Sequence, residues 1–255
     1  MDINQAFTIL KNSGDIRAAR IITERYKKIS ALRTFYYAHL LKRGVPVAKI
    51  IHSKWFYGLD FYTNKNTLDP RPDTETLVEA VIKDCIQDKP RNILDMGTGT
   101  GCIICALCKN ISDLHGIGID KSKAAIHVAR KNVKKLNLKN KIKIKYGDFA
   151  NFKSSEKFDI IVSNPPYIKF GDERVNDAAR FDPKIALYAK NNGLRAFEQI
   201  AKNAIILLKS DGKIYLEIGV GQSNQIIKIF NSFGWKFERT EKDLSGINRV
   251  LVFSL

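Results

Sequence analysis

The stretch Ser163-Asn164-Pro165-Pro166-Tyr167 holds the most specific chemistry in this sequence. It places an amide, two prolines and an aromatic ring directly after the apolar run Phe158-Asp159-Ile160-Ile161-Val162. The run reads as a buried strand that stops where proline removes two successive backbone donors. Proline also keeps the residue before it extended, so the carbonyls of Asn164 and Pro165 are expected to point outward in set directions. Two rigid acceptors suit a planar NH2 group: Asn164 offers its side-chain oxygen, Pro165 its main-chain oxygen, and Tyr167 a flat wall. Such a nitrogen is a weak nucleophile because its lone pair is delocalised. Pulling on both of its N–H bonds favours attack on an arriving methyl group. The competing reading is a Pro-Pro turn that merely ends a strand, with Asn164 as a cap, and the rest of the chain decides between the two.

Three acids stand at the ends of other predicted strands. Ile93-Leu94-Asp95-Met96 leads through Gly97-Thr98-Gly99-Thr100-Gly101 into a helix, the strand, glycine turn and helix of a nucleotide-binding α/β unit. The spacing is G-x-G-x-G with Cys102 where the dinucleotide fingerprint expects its third glycine. A carboxylate at Asp95 suits an ammonium better than a pyrophosphate, and S-adenosylmethionine carries an ammonium. Gly116 to Asp120 forms a second strand whose terminal acid is placed for ribose hydroxyls. Lys141 to Tyr146 alternates as a strand with one wet side, and after it Asp148 is placed to accept from an adenine amino group while Phe149 covers the ring. Ligands of open α/β sheets bind at the carboxyl ends of strands, so these tips and Asn164 converge on one crevice.

The remaining elements follow in order. Residues 1 to about 50 carry helical spacing, with Asp15 as a helix start, and are expected to form a small lid or docking module. Trp55 to Tyr62 reads as a hairpin turning near Gly58 and packed between two domains. Arg71, held between Pro70 and Pro72, is either a surface turn or a substrate contact, and Asp73 or Thr74 caps the next helix. Beyond Tyr167 a mobile loop is expected up to about Lys190, with Arg180-Phe181-Asp182-Pro183 fixed inside it. A helix from Gly193 to Leu208, a strand from Lys213 to Ile218, a helix from Gln222 to Phe233 and strands at 235–240 and 249–253 complete the sheet.

The chain has 255 residues, enough to bury roughly three quarters of its unfolded surface. No apolar run approaches the ~20 residues of a membrane span, and the first residues lack a secretion-signal layout, so a soluble, cytoplasmic protein with no membrane partner is expected. The net charge of +17 is spread along the chain and mostly lysine, which leaves a weak RNA or ribosome contact as an expectation. Cys102, Cys105 and Cys108 share one broad helix face and are expected to be buried thiols; no metal is expected.

The chain resembles the release-factor glutamine methyltransferases, the HemK-type family of class I S-adenosylmethionine enzymes, over nearly its whole length. The resemblance rests on residues 56–61, on Thr67 to Glu75 with its Pro-Arg-Pro-Asp-Thr-Glu block, on Ile93 to Gly101, on Asn164 to Ile168 and on Arg180 to Pro183. Asn-Pro-Pro-Tyr alone is shared with adenine N6 methyltransferases, while the Pro-Arg-Pro-Asp-Thr-Glu block narrows the match to glutamine methylation. It implies an α/β Rossmann-like fold with a seven-stranded, mostly parallel sheet whose last strand is antiparallel. The expected organisation is a helical substrate-docking domain over residues 1–52, a hairpin linker over 53–72 and a methyltransferase domain over 73–255.

The activity it implies is methyl transfer to the side-chain amide of the glutamine in the Gly-Gly-Gln loop of class 1 peptide release factors, leaving S-adenosylhomocysteine. Gly97, Thr98, Gly99, Thr100, Gly101, Asp120, Phe149 and Asn164 match the family's cofactor contacts; Asp95 and Asp148 join them on the reading above. Asn164, Pro165, Pro166 and Tyr167 match its catalytic, glutamine-binding residues, and Arg71 is the further substrate contact. Asp69 stands where an apolar residue is usual, and the N-terminal helical region is shorter than is typical. A monomer is expected. The alternative acceptors are a ribosomal-protein glutamine or a nucleic-acid adenine.

Overall fold

The computed structural model describes residues 1–86, 92–172 and 177–255. Helices α1 (Ile3–Ser13), α2 (Ile16–Arg25), α3 (Ala31–Lys42) and α4 (Val47–Ile51) open the chain. Asp2 and Gln5 cap α1 reciprocally, and Asp15 accepts from the Ala18 N–H to start α2. Their apolar faces meet in a core of their own that includes Leu10, Ala19, Ile22, Tyr37 and Leu41.

Strands β1 (Lys54–Phe56) and β2 (Leu59–Phe61) form the hairpin, turning through Tyr57 and Gly58, both at positive φ. Phe56 and Phe61 are buried against Leu77 and Val81 of the main body, but Trp55 is 68% exposed. The expectation that the aromatic stretch is packed away is therefore corrected: Trp55 pairs with Asp60 on the outer face, where the two-residue period of the strand puts it. The buried Asn132 side chain bridges Tyr62 (2.7 and 2.9 Å) to the Thr100 carbonyl (2.9 Å), tying hairpin to glycine loop.

A 3-10 turn at Pro72–Thr74 runs straight into α5 (Glu75–Cys85), and Asp73 and Thr74 make no side-chain cap there. Then come β3 (Asn92–Met96), α6 (Cys102–Asn110), β4 (His115–Asp120), α7 (Lys123–Lys135), β5 (Ile142–Tyr146) and β6 (Phe158–Ser163). The region read as a mobile loop holds short elements among its described residues: β7 (Ile168–Lys169), a 3-10 turn at Asp177–Phe181, α8 (Lys184–Leu187) and β8 (Tyr188–Ala189), with 173–176 outside the described residues. Helix α9 (Arg195–Leu207), β9 (Leu208–Glu217), α10 (Ser223–Ser232), β10 (Lys236–Lys242) and β11 (Asn248–Ser254) complete the chain, β9 starting earlier than its apolar run indicated.

The seven-stranded sheet has the order β10-β11-β9-β6-β3-β4-β5, with β11 antiparallel to both neighbours. Alternating residues feed the two faces. Ile93, Ile160, Tyr215 and Val252 pack under α5, α6 and α7, while Leu94, Ile161, Ile214 and Leu251 pack under α9 and α10. The order reverses between β3 and β6. That switch point opens a crevice at the carboxyl ends of the strands.

Candidate functional site

On the β3 side of the crevice, the glycine loop and the ends of β4 and β5 surround a cavity of about 880 Å3 lined by Gly97 to Thr100, Asp120, Asp148 and Phe149. Gly97 sits at φ +80, and a Cβ built on it meets nothing within 4 Å, so open space lies directly over the loop backbone. Asp120 receives the Gly99 N–H at 3.0 Å and the Ser122 N–H at 2.8 Å, which points its carboxylate along the cavity wall. Burial raises its pKa. Asp148 is oriented by the Ala150 N–H at 2.9 Å. Lys121 lies over the Phe149 ring at 5.7 Å.

Asp95 lies beneath this loop instead of lining the cavity. One oxygen accepts from the Thr98 hydroxyl at 2.6 Å, the other has no partner among the described residues, and burial above all pushes the carboxyl up to about 7. Behind the glycine turn this carboxyl adds negative potential to the floor of the cavity, which keeps the site compatible with an ammonium-bearing ligand.

Across the switch point, the Ser163 hydroxyl donates to the Met96 carbonyl at 2.6 Å and locks the two strand tips together. Asn164 follows at once. It lines the 880 Å3 cavity and also a second one of about 1020 Å3, whose wall includes Arg71, Asp73, Pro165, Tyr167 and Glu217. The Asn164 Nδ2 donates to the Thr74 hydroxyl at 3.1 Å, and its oxygen has no hydrogen-bond donor among the described residues. Thr74 does not cap α5: its backbone is already helical in the 3-10 turn, and its hydroxyl is left to meet Asn164. The Tyr167 hydroxyl donates to Glu217 at 3.1 Å, and the Tyr167 carbonyl accepts from Gln222 Nε2 at 3.0 Å. Burial pushes the Glu217 carboxyl up to about 7, against the Thr74 and Tyr167 hydroxyls and Arg249 beside it. Arg249 itself is held by Asp73 and Asp243, each at 2.9 Å.

Arg71 lines both cavities and pairs with Asp182 at 2.6 Å. Asp182 also meets Lys49 at 2.9 Å, and Lys49 meets Asp69 at 2.7 Å, so one buried network joins α4, the Pro-Arg-Pro segment and the 180–183 turn. The unusual Asp69 is explained by this lysine.

The crevice therefore gathers Gly97, Thr98, Gly99, Thr100, Asp120, Asp148, Phe149, Asn164 and Pro166 around the first cavity, with Pro165 and Tyr167 on the second and Arg71 on both. Gly101 lies one residue behind the wall as the left-handed residue that starts α6. Sequence reasoning missed Thr74 as a site residue, Glu217, Arg249 and Lys49. Thr74 lies inside the Pro-Arg-Pro-Asp-Thr-Glu block, which could have pointed to it; nothing local marks the other three, each defined by a partner far along the chain. Cys102, Cys105 and Cys108 are buried thiols, their pKa values raised by burial. No helix among the described residues is long and apolar enough to cross a membrane.

Comparison with known proteins agrees with this geometry. The family model described as methyltransferase small domain matches residues 65–193. A release factor glutamine methyltransferase of Caulobacter vibrioides is 33% identical over 96% of this chain and 86% of that protein. One of Clostridium acetobutylicum is 35% identical over 91% and 84%. A bifunctional methyltransferase of Rickettsia prowazekii is 38% identical over 82% of this chain, which spans only 44% of that longer protein. Among solved structures, a methyltransferase from Pyrococcus furiosus (TM-score 0.59, 17% identity, 87% and 95% covered) and a ribosomal protein L11 methylase from Lactobacillus delbrueckii subsp. bulgaricus (0.56, 17%, 74% and 81%) share the fold. The chain belongs to the release factor glutamine methyltransferases, within the class I S-adenosylmethionine-dependent methyltransferases.

Proposed function

We propose that the protein transfers a methyl group from S-adenosylmethionine to the side-chain amide nitrogen of the glutamine in the Gly-Gly-Gln motif of class 1 peptide release factors. One observation carries the reading: Asn164 stands at the junction of two cavities, its amide oxygen without a donor among the described residues and its NH2 tied back to Thr74. The first cavity is the proposed cofactor site, with Asp120 toward the ribose, Asp148 and Phe149 toward the adenine, and the glycine loop, backed from beneath by Asp95, toward the methionine end. Bound there, S-adenosylmethionine supplies a methyl group on a positively charged sulfur.

The chain's own task is to make an amide nitrogen nucleophilic and hold it in line. Asn164 Oδ1 and the Pro165 carbonyl each accept one N–H of the glutamine NH2, which fixes the amide plane and draws electron density toward nitrogen as the new bond forms. Tyr167 walls the acceptor cavity and stops the amide from rotating. Orientation of this kind supplies much of the rate. The methylated nitrogen is strongly acidic and loses its proton to water.

The test is transfer of labelled methyl to a purified class 1 release factor beside a version with the Gly-Gly-Gln glutamine changed to alanine. Label on the first alone is expected. Label on both, or on neither while the cofactor binds, overturns the assignment of the acceptor.

A further inference from the structure

Glu217 closes β9, outside every motif that marks the site, yet it reaches the acceptor cavity. Its side chain is fully enclosed, and one oxygen, Oε2, has no hydrogen-bond partner among the described residues. Around it stand the Tyr167 hydroxyl at 3.1 Å, Thr74, and the charges of Arg249 and Asp73. A carboxylate can only accept hydrogen bonds: Oε1 takes the Tyr167 hydroxyl, and the open Oε2 draws the proton of the neighbouring Thr74 hydroxyl its way. A Thr74 hydroxyl that has turned its proton to Glu217 presents only lone pairs to Asn164. Asn164 must then offer NH2 to Thr74, which is the orientation seen at 3.1 Å.

We infer that Glu217 is a positioning residue for methyl transfer, orienting the Asn164 amide through Thr74 and the Tyr167 ring through its hydroxyl, so that Asn164 presents oxygen and not NH2 to the acceptor. The inference rests on the reading that Asn164 grips an amide NH2. Its polarity is what matters. Were Asn164 reversed, two NH2 groups would face each other and the acceptor would lose one of its two hydrogen-bond partners. The orientation holds only while Glu217 is ionised, and its raised pKa of about 7 puts that change within the working range of the enzyme. The facing groups work in opposite directions: Arg249 favours the ionised form, and Asp73 opposes it.

The isosteric change Glu217→Gln tests this, because glutamine keeps the shape and can donate. A donating residue 217 allows the Thr74 hydroxyl to swing toward Asn164, which reverses the amide. With saturating cofactor, so that Asp95 does not enter, wild-type kcat should rise with pH through about 7 and level off. Glu217→Gln should lower kcat about 10- to 100-fold, as loss of an orienting partner commonly does, flatten that acid limb and leave S-adenosylmethionine affinity unchanged. Thr74→Val should produce a similar loss, and the double variant little more, since both act on one path. An unaltered kcat and pH limb in Glu217→Gln, or additive losses in the double variant, overturns the inference. The Asn164 side-chain NH2 resonances give a readout that needs no acceptor: they should shift in Glu217→Gln. If the wild type methylates no release factor while those resonances shift, the acceptor assignment fails and the positioning role stands. If methylation proceeds and they do not shift, the positioning role fails alone.

Discussion

The two halves of the crevice are built by different means. On the β3 and β4 side, the groups lining the proposed cofactor cavity lie within one or two residues of a strand end and are held by backbone: Asp120 by the N–H groups of Gly99 and Ser122, Asp148 by that of Ala150. On the β6 side, the Asn164 and Tyr167 side chains are held by side chains from Thr74 and Glu217, at separations of 90 and 50 residues. A ligand shared by many enzymes is met by a local supersecondary unit. The proposed acceptor cavity is an arrangement that exists only once the whole chain has folded.

The sharpest way to break this contrast is through the buried network on the acceptor side. Lys49→Met removes the one ammonium that faces both Asp69 and Asp182, leaving buried carboxylates without it. Loss of one partner of a buried charge cluster costs about 3–5 kcal/mol. Denaturant unfolding should show a loss of that order. An unchanged midpoint would mean that the N-terminal helices do not brace the acceptor side. A companion change, Lys49→Met with Asp69→Leu, should recover part of the loss by restoring the apolar residue usual at position 69.

Gly97→Ala probes the other half. The residue sits at φ +80 with open space where a Cβ would go. The backbone strain is about 1–2 kcal/mol, and the methyl projects into the cofactor cavity. Cofactor affinity should fall about tenfold or more, each 1.4 kcal/mol being a factor of ten, while the apparent KM for the release factor stays unchanged. Parallel loss of both would show that the halves are not separable.

These contrasts also mark what was legible in the sequence. The strand, glycine loop and helix around Asp95 to Cys102, the acid at Asp120 and the Asn-Pro-Pro-Tyr tip were readable because proline, glycine and strand-terminal acids impose local geometry. Apolar runs predict the parallel strands of the seven-stranded sheet, of which β9 begins several residues earlier, but not the short parallel pair β7 and β8, which falls where a mobile loop is expected. Aromatic content alone predicts a buried Trp55, but the two-residue period of the strand places it outward. Type and place favour Asp73 or Thr74 as the helix cap; neither caps α5, and the Thr74 hydroxyl accepts from Asn164 instead. Lys49, Glu217 and Arg249 carried no local signal, since a buried charge is recognisable only from the partners folding brings to it.

A smaller effect, of stability on pH, separates the halves once more, because each contains one carboxyl raised to about 7: Asp95 on the cofactor side and Glu217 on the acceptor side. A folded pKa above the unfolded value means that the native state holds more protons, so these groups lower stability as pH rises from the ordinary carboxylate range through about 7. Asp60 and Asp84 are shifted down and act below that window, losing their contribution as pH falls. Thermal midpoints without cofactor should therefore be higher near pH 5 than near pH 8, to the order of magnitude set by two raised carboxyls. Asp95→Asn and Glu217→Gln should each remove part of the decline. A midpoint that climbs from pH 5 to 8 would contradict the assignment of both groups as native-state proton holders.

The most direct test is Asn164→Ala, measured for S-adenosylmethionine binding by calorimetry and for a single turnover on a class 1 release factor. A cofactor site built by the β3 and β4 side predicts binding close to wild type and transfer slowed by about 100- to 1000-fold, the usual cost of one preorganised hydrogen-bonding group at a reacting centre. Loss of cofactor binding in step with transfer would contradict it, and would make Asn164 part of the cofactor site first and of the acceptor site second.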